Sequence, residues 1–154
     1  MGIKSYQAPK VSPKDLAEQP SLKVSDYMRT NMITFKPDQT LEEVITVLIK
    51  ERISGAPVVN DKNELVGIIS EGDCLKQISK SNYYNMPLTN RNVENCMTTP
   101  VTIIDGNMSV FDAINMFLNE RRRQFPIVKD KKLVGLLSQK NILKALRTID
   151  VKNK

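Results

Sequence analysis

The stretch VGIISEGD, Val66 to Asp73, returns sixty-eight residues later as VGLLSQKN, Val134 to Asn141. This duplication constrains the fold more than any single motif. Each copy must be a structural unit, and a unit of about fifty residues buries too little apolar surface to be stable alone. Two copies in contact supply the missing area, which predicts a shared core between them.

The match runs well beyond the motif. With Met28 aligned to Met97, at an offset of 69, Leu41, Val44, Ile45, Leu48 and Ile49 fall opposite Val110, Ala113, Ile114, Phe117 and Leu118. Both sets follow i, i+3, i+4, i+7, i+8, so each predicts a helix with these residues facing the core. Thr40 and Ser109 stand just before them, where a hydroxyl accepts from free backbone N–H groups. GAPVVN at 55–60 lies opposite QFPIVK at 124–129. These read as short strands led by Pro57 and Pro126, which have no N–H to give to a ladder and suit a strand start. The turn Asp61-Lys62-Asn63 is one residue longer than Asp130-Lys131, so the offset drops to 68 for ELVGIIS and KLVGLLS. Leu75 and Ile78, and Ile142, Leu143 and Leu146, predict a closing amphipathic helix in each copy. Extended segments lead the copies, MITF at 32–35 and VTII at 101–104. Matching Thr34 to Thr102 requires a slip of one residue.

The organisation expected is a tail or arm at 1–24, punctuated by Pro9, Pro13 and Pro20, and a first repeat at 25–80. An Asn-rich linker at 81–95, a second repeat at 96–149 and a short C-terminal tail at 150–154 follow. Each repeat reads β-α-β-β-α, an α/β (α+β) fold class.

Composition removes several functions. The 154 residues include no histidine, which excludes Ser-His-Asp and Cys-His catalysis and disfavours zinc or haem. Cys74 and Cys96 are the two cysteines, and the start MGIKSY lacks an apolar leader. Passive thiols in a soluble, cytoplasmic chain are therefore expected. No apolar run approaches the ~20 residues of a membrane span. Net charge is +6, from 23 basic and 17 acidic residues; this suits phosphate-bearing partners, and equally a solvated lysine-rich surface. The basic residues are spread over both copies, and aromatics amount to 5%, which speaks against a nucleic-acid platform.

The unit ITFKPDQTLEEV…ISGAPVVNDKNELVGIISEGD resembles a CBS domain, the repeat named after cystathionine β-synthase, and 97–148 resembles the second of a pair. The resemblance covers about residues 25–149. It implies a pseudo-twofold pair of β-α-β-β-α repeats with two clefts between packed sheets. It also implies a regulatory module without catalysis and without a required cofactor. Such clefts commonly take AMP, ADP, ATP or a related adenosyl compound such as S-adenosylmethionine. Pairing into a homodimer and contact with an effector protein are implied as well, with no membrane or nucleic-acid partner.

The residues are compatible with this. A nucleotide cleft needs an apolar slot, acceptors for the ribose diol, and cations or N–H groups for phosphate. In the first copy Ile33 and Thr34 with Gly55, Ala56 and Pro57 are candidates for the slot. Ser70 and Asp73 match the family's G-h-x-[ST]-x-x-D motif, whose resemblance assigns them the ribose. The same two residues also fit a capping box, and the two roles are compatible. In the second copy the candidates are Thr102, Gln124, Phe125, Pro126, Ser138 and Asn141. Arg121, Arg122 and Arg123 precede this slot, where the resemblance implies a basic residue for phosphate. Which of the three points inward stays open, Arg123 being carried as the candidate, and positive charge at a helix C-terminus is the competing role of this run. The leading function is a ligand-sensing regulatory module. The alternative is a dimerisation or protein–protein module with empty clefts.

Overall fold

The structure, a computed structural model, describes residues 22–84 and 91–152. In the first repeat α1 (Leu41–Glu51) is followed by β1 (Gly55–Val59), β2 (Leu65–Ser70) and α2 (Glu71–Tyr84). A single turn, α3 (Val93–Cys96), precedes the second repeat, which consists of α4 (Val110–Glu120), β3 (Gln124–Lys129), β4 (Lys132–Ser138) and α5 (Gln139–Lys152). No helix among the described residues is long and apolar enough to cross a membrane.

Local chemistry explains these bounds. Thr40 Oγ1 accepts from the Glu43 N–H at 3.2 Å, and Ser109 Oγ from the Asp112 N–H at 3.0 Å, so both helices start at the expected caps. Both end on an arginine in the left-handed region, Arg52 at φ 56° and Arg121 at φ 52°. Each repeat carries an antiparallel pair, with Gly55 opposite Ser70 in one and Gln124 opposite Ser138 in the other. The leading strand of each repeat is reduced to one bridging residue. Phe35 pairs parallel with Val58 and Ile104 with Ile127. Phe35 and Ile104 are 69 residues apart, so Thr34 corresponds to Ile103, and no slip to Thr102 occurs.

Two departures from the sequence pattern stand out. Ile49 and Leu118, read as core, are 73% and 71% exposed, while Leu41, Val44 and Leu48 and their counterparts Val110, Ala113 and Phe117 are buried. Leu75 and Leu143 are likewise turned outward, and Cys74 and Ile142 take the core positions of α2 and α5. These apolar stripes are wider than the face one sheet covers.

The second departure concerns the core. Instead of one shared core there are two clusters, each completed by chain that precedes the other repeat. Val93 and Cys96 pack with Phe35, Val44, Val58 and Ile69 of the first repeat. Val24 packs with Ile104, Val110, Phe125 and Ile127 of the second. Val24 and Val93 are again 69 residues apart, and both are fully buried. The backbone follows the exchange. Thr98 and Ile68 trade N–H···O bonds at 2.7 and 3.0 Å, and Arg29 and Leu136 at 2.8 and 2.9 Å. Gly67 and Gly135 allow this approach, because a Cβ at either would collide with Met97 Sδ or Met28 Sδ. The glycine of the repeated V-G-h-h motif is thus the seat of the exchanged methionine.

The exchange redraws the expected boundaries. Leu22 to Val24, assigned to the tail, lie against the second repeat, with residues 1–21 outside the described ones. The linker's residues 81–84 continue α2, and its Val93 is core; residues 85–90 lie outside the described ones. Helix α5 runs through Lys152, past the expected tail boundary.

Candidate functional site

The repeated serine sits where each repeat's last strand becomes its last helix. The Ser70 N–H and hydroxyl both donate to Asp73 Oδ2, at 2.9 and 3.0 Å, and the Asp73 N–H returns a 3.3 Å bond to Ser70 Oγ. Ser138 and Asn141 repeat the pattern at 2.8, 2.8 and 3.2 Å through Asn141 Oδ1. Both copies are therefore capping boxes. Each box uses one terminal atom of the aspartate or asparagine and leaves the other outside the cap.

The remaining atoms differ in kind. A backbone N–H only donates, so the amide atom facing Ser138 N must be the oxygen. This turns Asn141 Nδ2 away from the cap, and it has no hydrogen-bond partner among the described residues. At Asp73 the remaining atom is the acceptor Oδ1, which takes a 2.9 Å bond from Thr98 Oγ1. Thr98 comes from the segment leading the second repeat. Its counterpart in the first lead-in is Arg29, whose Nε donates to Asn31 O at 2.9 Å.

Two clefts flank these boxes. The first, about 500 Å³, is lined by Ser54, Gly55, Ser70 and Asp73, with Thr98 beside Asp73, and by Val101, Arg122, Arg123 and Gln124. The second, about 810 Å³, is lined by Ser138 and Asn141, by Arg29, Met32 and Ile33 of the first lead-in, and by Arg52, Lys140 and Lys144. Ser54, Gly55, Arg123 and Gln124 line both, and Gln124 Nε2 reaches Gly55 O at 3.4 Å.

Most of the residues singled out from sequence meet here, but in a different grouping. Gly55, Ser70 and Asp73 share the first cleft, whereas Ile33 lines the second with Ser138 and Asn141. Ala56 and Phe125 are core residues, Phe125 edge-on to Phe117 at 4.7 Å between ring centres, and Pro57 and Pro126 are buried beside them. Thr34 and Thr102 are half-buried and line neither cleft. Of the arginine run, Arg121 caps α4, Arg122 pairs with Glu120 at 3.6 Å, and Arg123 is the one at both clefts. Sequence reading missed Arg29, Thr98, Arg52, Lys140 and Lys144. The signal for Thr98 and Arg29 was their shared place after the aligned methionines, but only the exchange puts them in the clefts that the boxes line.

The thiols are withheld from chemistry. Burial, reinforced by the charges of Asp73, Cys96 and Glu71, pushes the Cys74 thiol up to about 11. Burial raises Cys96 as well, so both stay protonated near neutral pH.

The duplicated sheet-and-helix unit with its exchanged lead-ins has relatives. The CBS domain family model matches residues 24–80 and again 93–148. The chain belongs to the CBS-domain family. Among relatives of this CBS pair is a 17.7 kDa protein of Acidianus ambivalens, 31% identical over 80% of this chain and 73% of the relative. Arabidopsis thaliana CBSX2, a CBS-pair protein solved in complex with AMP, superposes with a TM-score of 0.74 at 26% identity, covering 84% of this chain and 98% of that one. The CBS domain pair of protein MJ0100, solved with 5′-methylthioadenosine and S-adenosyl-L-methionine, shares the fold at a TM-score of 0.67 and 24% identity, over 84% and 98%. The chain spans 42% and 62% of the length of two other relatives, from Methanocaldococcus jannaschii and Methanopyrus kandleri.

Proposed function

We propose that this CBS pair is a regulatory, non-catalytic cytoplasmic module that binds an adenosine nucleotide and answers with altered self-association or contact with an effector protein. The observation that carries the reading is the side of the Asp73 carboxylate that the cap does not use. Oδ2 is held by the cap, which fixes the side chain, while Oδ1 faces the first cleft beside an exposed threonine hydroxyl. An ionised carboxylate is an acceptor only, and each of its oxygens takes more than one donor. Oδ1 thus accepts from a ribose hydroxyl while Thr98 rotates or keeps its bond. Gly55 lines the same cleft, and Arg123 and the half-buried Arg122 supply charge for phosphate. That relatives were solved with AMP and with adenosyl compounds supports an adenosine ligand.

The test is a thermal-shift and calorimetry panel of AMP, ADP, ATP, S-adenosylmethionine and cyclic di-AMP. A ligand at 100 times its dissociation constant raises stability by about 2.7 kcal/mol. Binding without turnover is expected. No response to any adenosine compound at millimolar concentration favours the second reading, a dimerisation module with empty clefts. That reading draws on the exposed Ile49, Leu75, Leu118 and Leu143, two pairs related by the repeat. It also draws on the bond by which Thr98 already occupies Asp73 Oδ1.

A further inference from the structure

The second cleft is the more cationic on balance, although Arg122 and Arg123 of the first give way to Ile53 and Ser54 at the equivalent positions of the second. Between equivalent positions Glu71 becomes Gln139, Gly72 becomes Lys140, Asp73 becomes Asn141 and Thr98 becomes Arg29. Every one of these changes adds a unit of positive charge. Arg29, Arg52, Arg123, Lys140 and Lys144 line the second cleft, and none of its lining residues is acidic. The first cleft has both Glu71 and Asp73 in its wall. Among the described residues the ion pairs are Lys36–Asp61 and Arg122–Glu120, so none of the five cations is neutralised by a neighbour. Like charges gathered on one concave wall repel one another and raise the local concentration of anions.

The hydrogen-bonding atoms agree with the charge. A ribose diol brings O–H donors and needs acceptors, which Asp73 Oδ1 supplies in the first cleft. Phosphate oxygens only accept. In the second cleft the equivalent atom is Asn141 Nδ2, a donor turned outward by the cap, and it stands at the start of the 14-residue helix α5. The helix dipole adds partial positive charge at that end. Lys140 and Lys144, four residues apart, lie along the same side of α5, while Arg29 and Arg52 approach from the first repeat. Five cations and an amide donor offer more hydrogen-bond donors than the oxygens of a single phosphate can accept from. A chain of three or more phosphates brings more negative charge and more acceptor oxygens to them.

We infer that the second cleft is selective for a polyphosphate chain, free or as part of a nucleoside triphosphate, and reads the phosphates rather than the ribose. The inference rests on the sensor reading only for the adenosine-bearing form of this ligand. The two clefts of the pair then answer different features of a nucleotide: the Asp73 cleft its sugar, the Asn141 cleft its charge.

Calorimetry with adenosine, AMP, ATP and inorganic tripolyphosphate, in buffer without divalent cations, tests this on the full chain. Arg29→Thr with Asn141→Asp rebuilds in the second cleft the Thr98–Asp73 pair already present in the first. Tripolyphosphate and ATP should weaken at least tenfold in this variant while adenosine does not weaken. ATP tighter than tripolyphosphate identifies the nucleotide as the source, and equal affinities identify the phosphate chain alone; both support the inference. Lys140→Gln with Lys144→Gln, on the exposed side of α5, should give a similar loss with an unchanged thermal midpoint. Undiminished tripolyphosphate binding in either variant, or equal weakening of all four ligands, overturns it. Tripolyphosphate bound with AMP and adenosine bound nowhere would defeat the sensor reading and leave this one standing. AMP bound in an Asp73-dependent way with tripolyphosphate bound nowhere would do the reverse.

Discussion

Thr98 Oγ1 donates to Asp73 Oδ1 at 2.9 Å, joining the lead-in of the second repeat to the last helix of the first. This bond places a residue from each repeat on one cleft wall and sets the first prediction. Asp73→Ala should cost ~1 kcal/mol through the lost cap and weaken AMP at least tenfold. Thr98→Val should destabilise by ~1 kcal/mol yet leave AMP affinity equal or tighter, since the ligand no longer competes with the threonine. If AMP affinity, corrected for the folded fraction, is unmoved by Asp73→Ala, the carboxylate is a cap and nothing more.

The arginines separate by place. Arg123→Glu should weaken ATP ten- to hundredfold, the equivalent of one charge-assisted hydrogen bond of about 1.5–3 kcal/mol, because Arg123 faces both clefts. Arg121→Gly should leave ATP affinity alone and raise stability by up to about 1 kcal/mol, as the left-handed φ of 52° suits glycine better than arginine. Parallel ATP titrations and chemical denaturation of the two variants check both statements.

The exchange of lead-ins predicts coupling between residues distant in sequence. Gly67→Ala should destabilise by about 1–3 kcal/mol through overpacking against Met97. Adding Met97→Ala should recover part of that loss, where two unrelated sites would add. A double-mutant cycle from urea unfolding measures the coupling energy; a value of zero would mean that Met97 does not sit on Gly67.

Alkaline pH should unfold the protein through Cys74. Its folded value of about 11 lies above the ordinary thiol value of 9.0. Between these values the unfolded chain loses the thiol proton while the folded chain keeps it. The thiol's contribution is thus fully present below about pH 9 and declines as the pH rises toward 11. Cys74→Ala should flatten the fall in unfolding free energy across that window relative to wild type, and an identical slope in both proteins would contradict the burial assigned to this thiol.

The outward-facing apolar residues predict self-association. Ile49 and Leu118, exposed at 73% and 71%, should lie in a homodimer contact. Light scattering of the wild type should then give the mass of two chains, and Ile49→Lys with Leu118→Lys should give one. A single-chain mass for the wild type across micromolar concentrations, with and without ligand, would dismiss the dimer.

The sequence by itself determined what is local or repeated. The helices over 41–51 and 110–120 followed from their apolar period, their starts from Thr40 and Ser109, and the hairpins from paired short strands around turn residues. The two S-x-x-[D/N] boxes were legible because capping uses residues three apart in the chain. The repeat supplied the family resemblance and, with it, the presence of two clefts. What the tertiary structure decided was which lead-in meets which cleft. A periodic pattern marks Val24 and Val93, or Arg29 and Thr98, as equivalent, but it carries no information on whether each folds onto its own repeat or onto the other. Both arrangements bury the same residues. The choice rests on long-range contacts, Met97 against Gly67 and Met28 against Gly135, and these place Thr98 at Asp73 and Arg29 in the cleft of Asn141. The exchange thereby adds Arg29 to the cations of the second cleft and the neutral Thr98 to the first, because the lead-in lining each cleft is the one that the sequence writes beside the other.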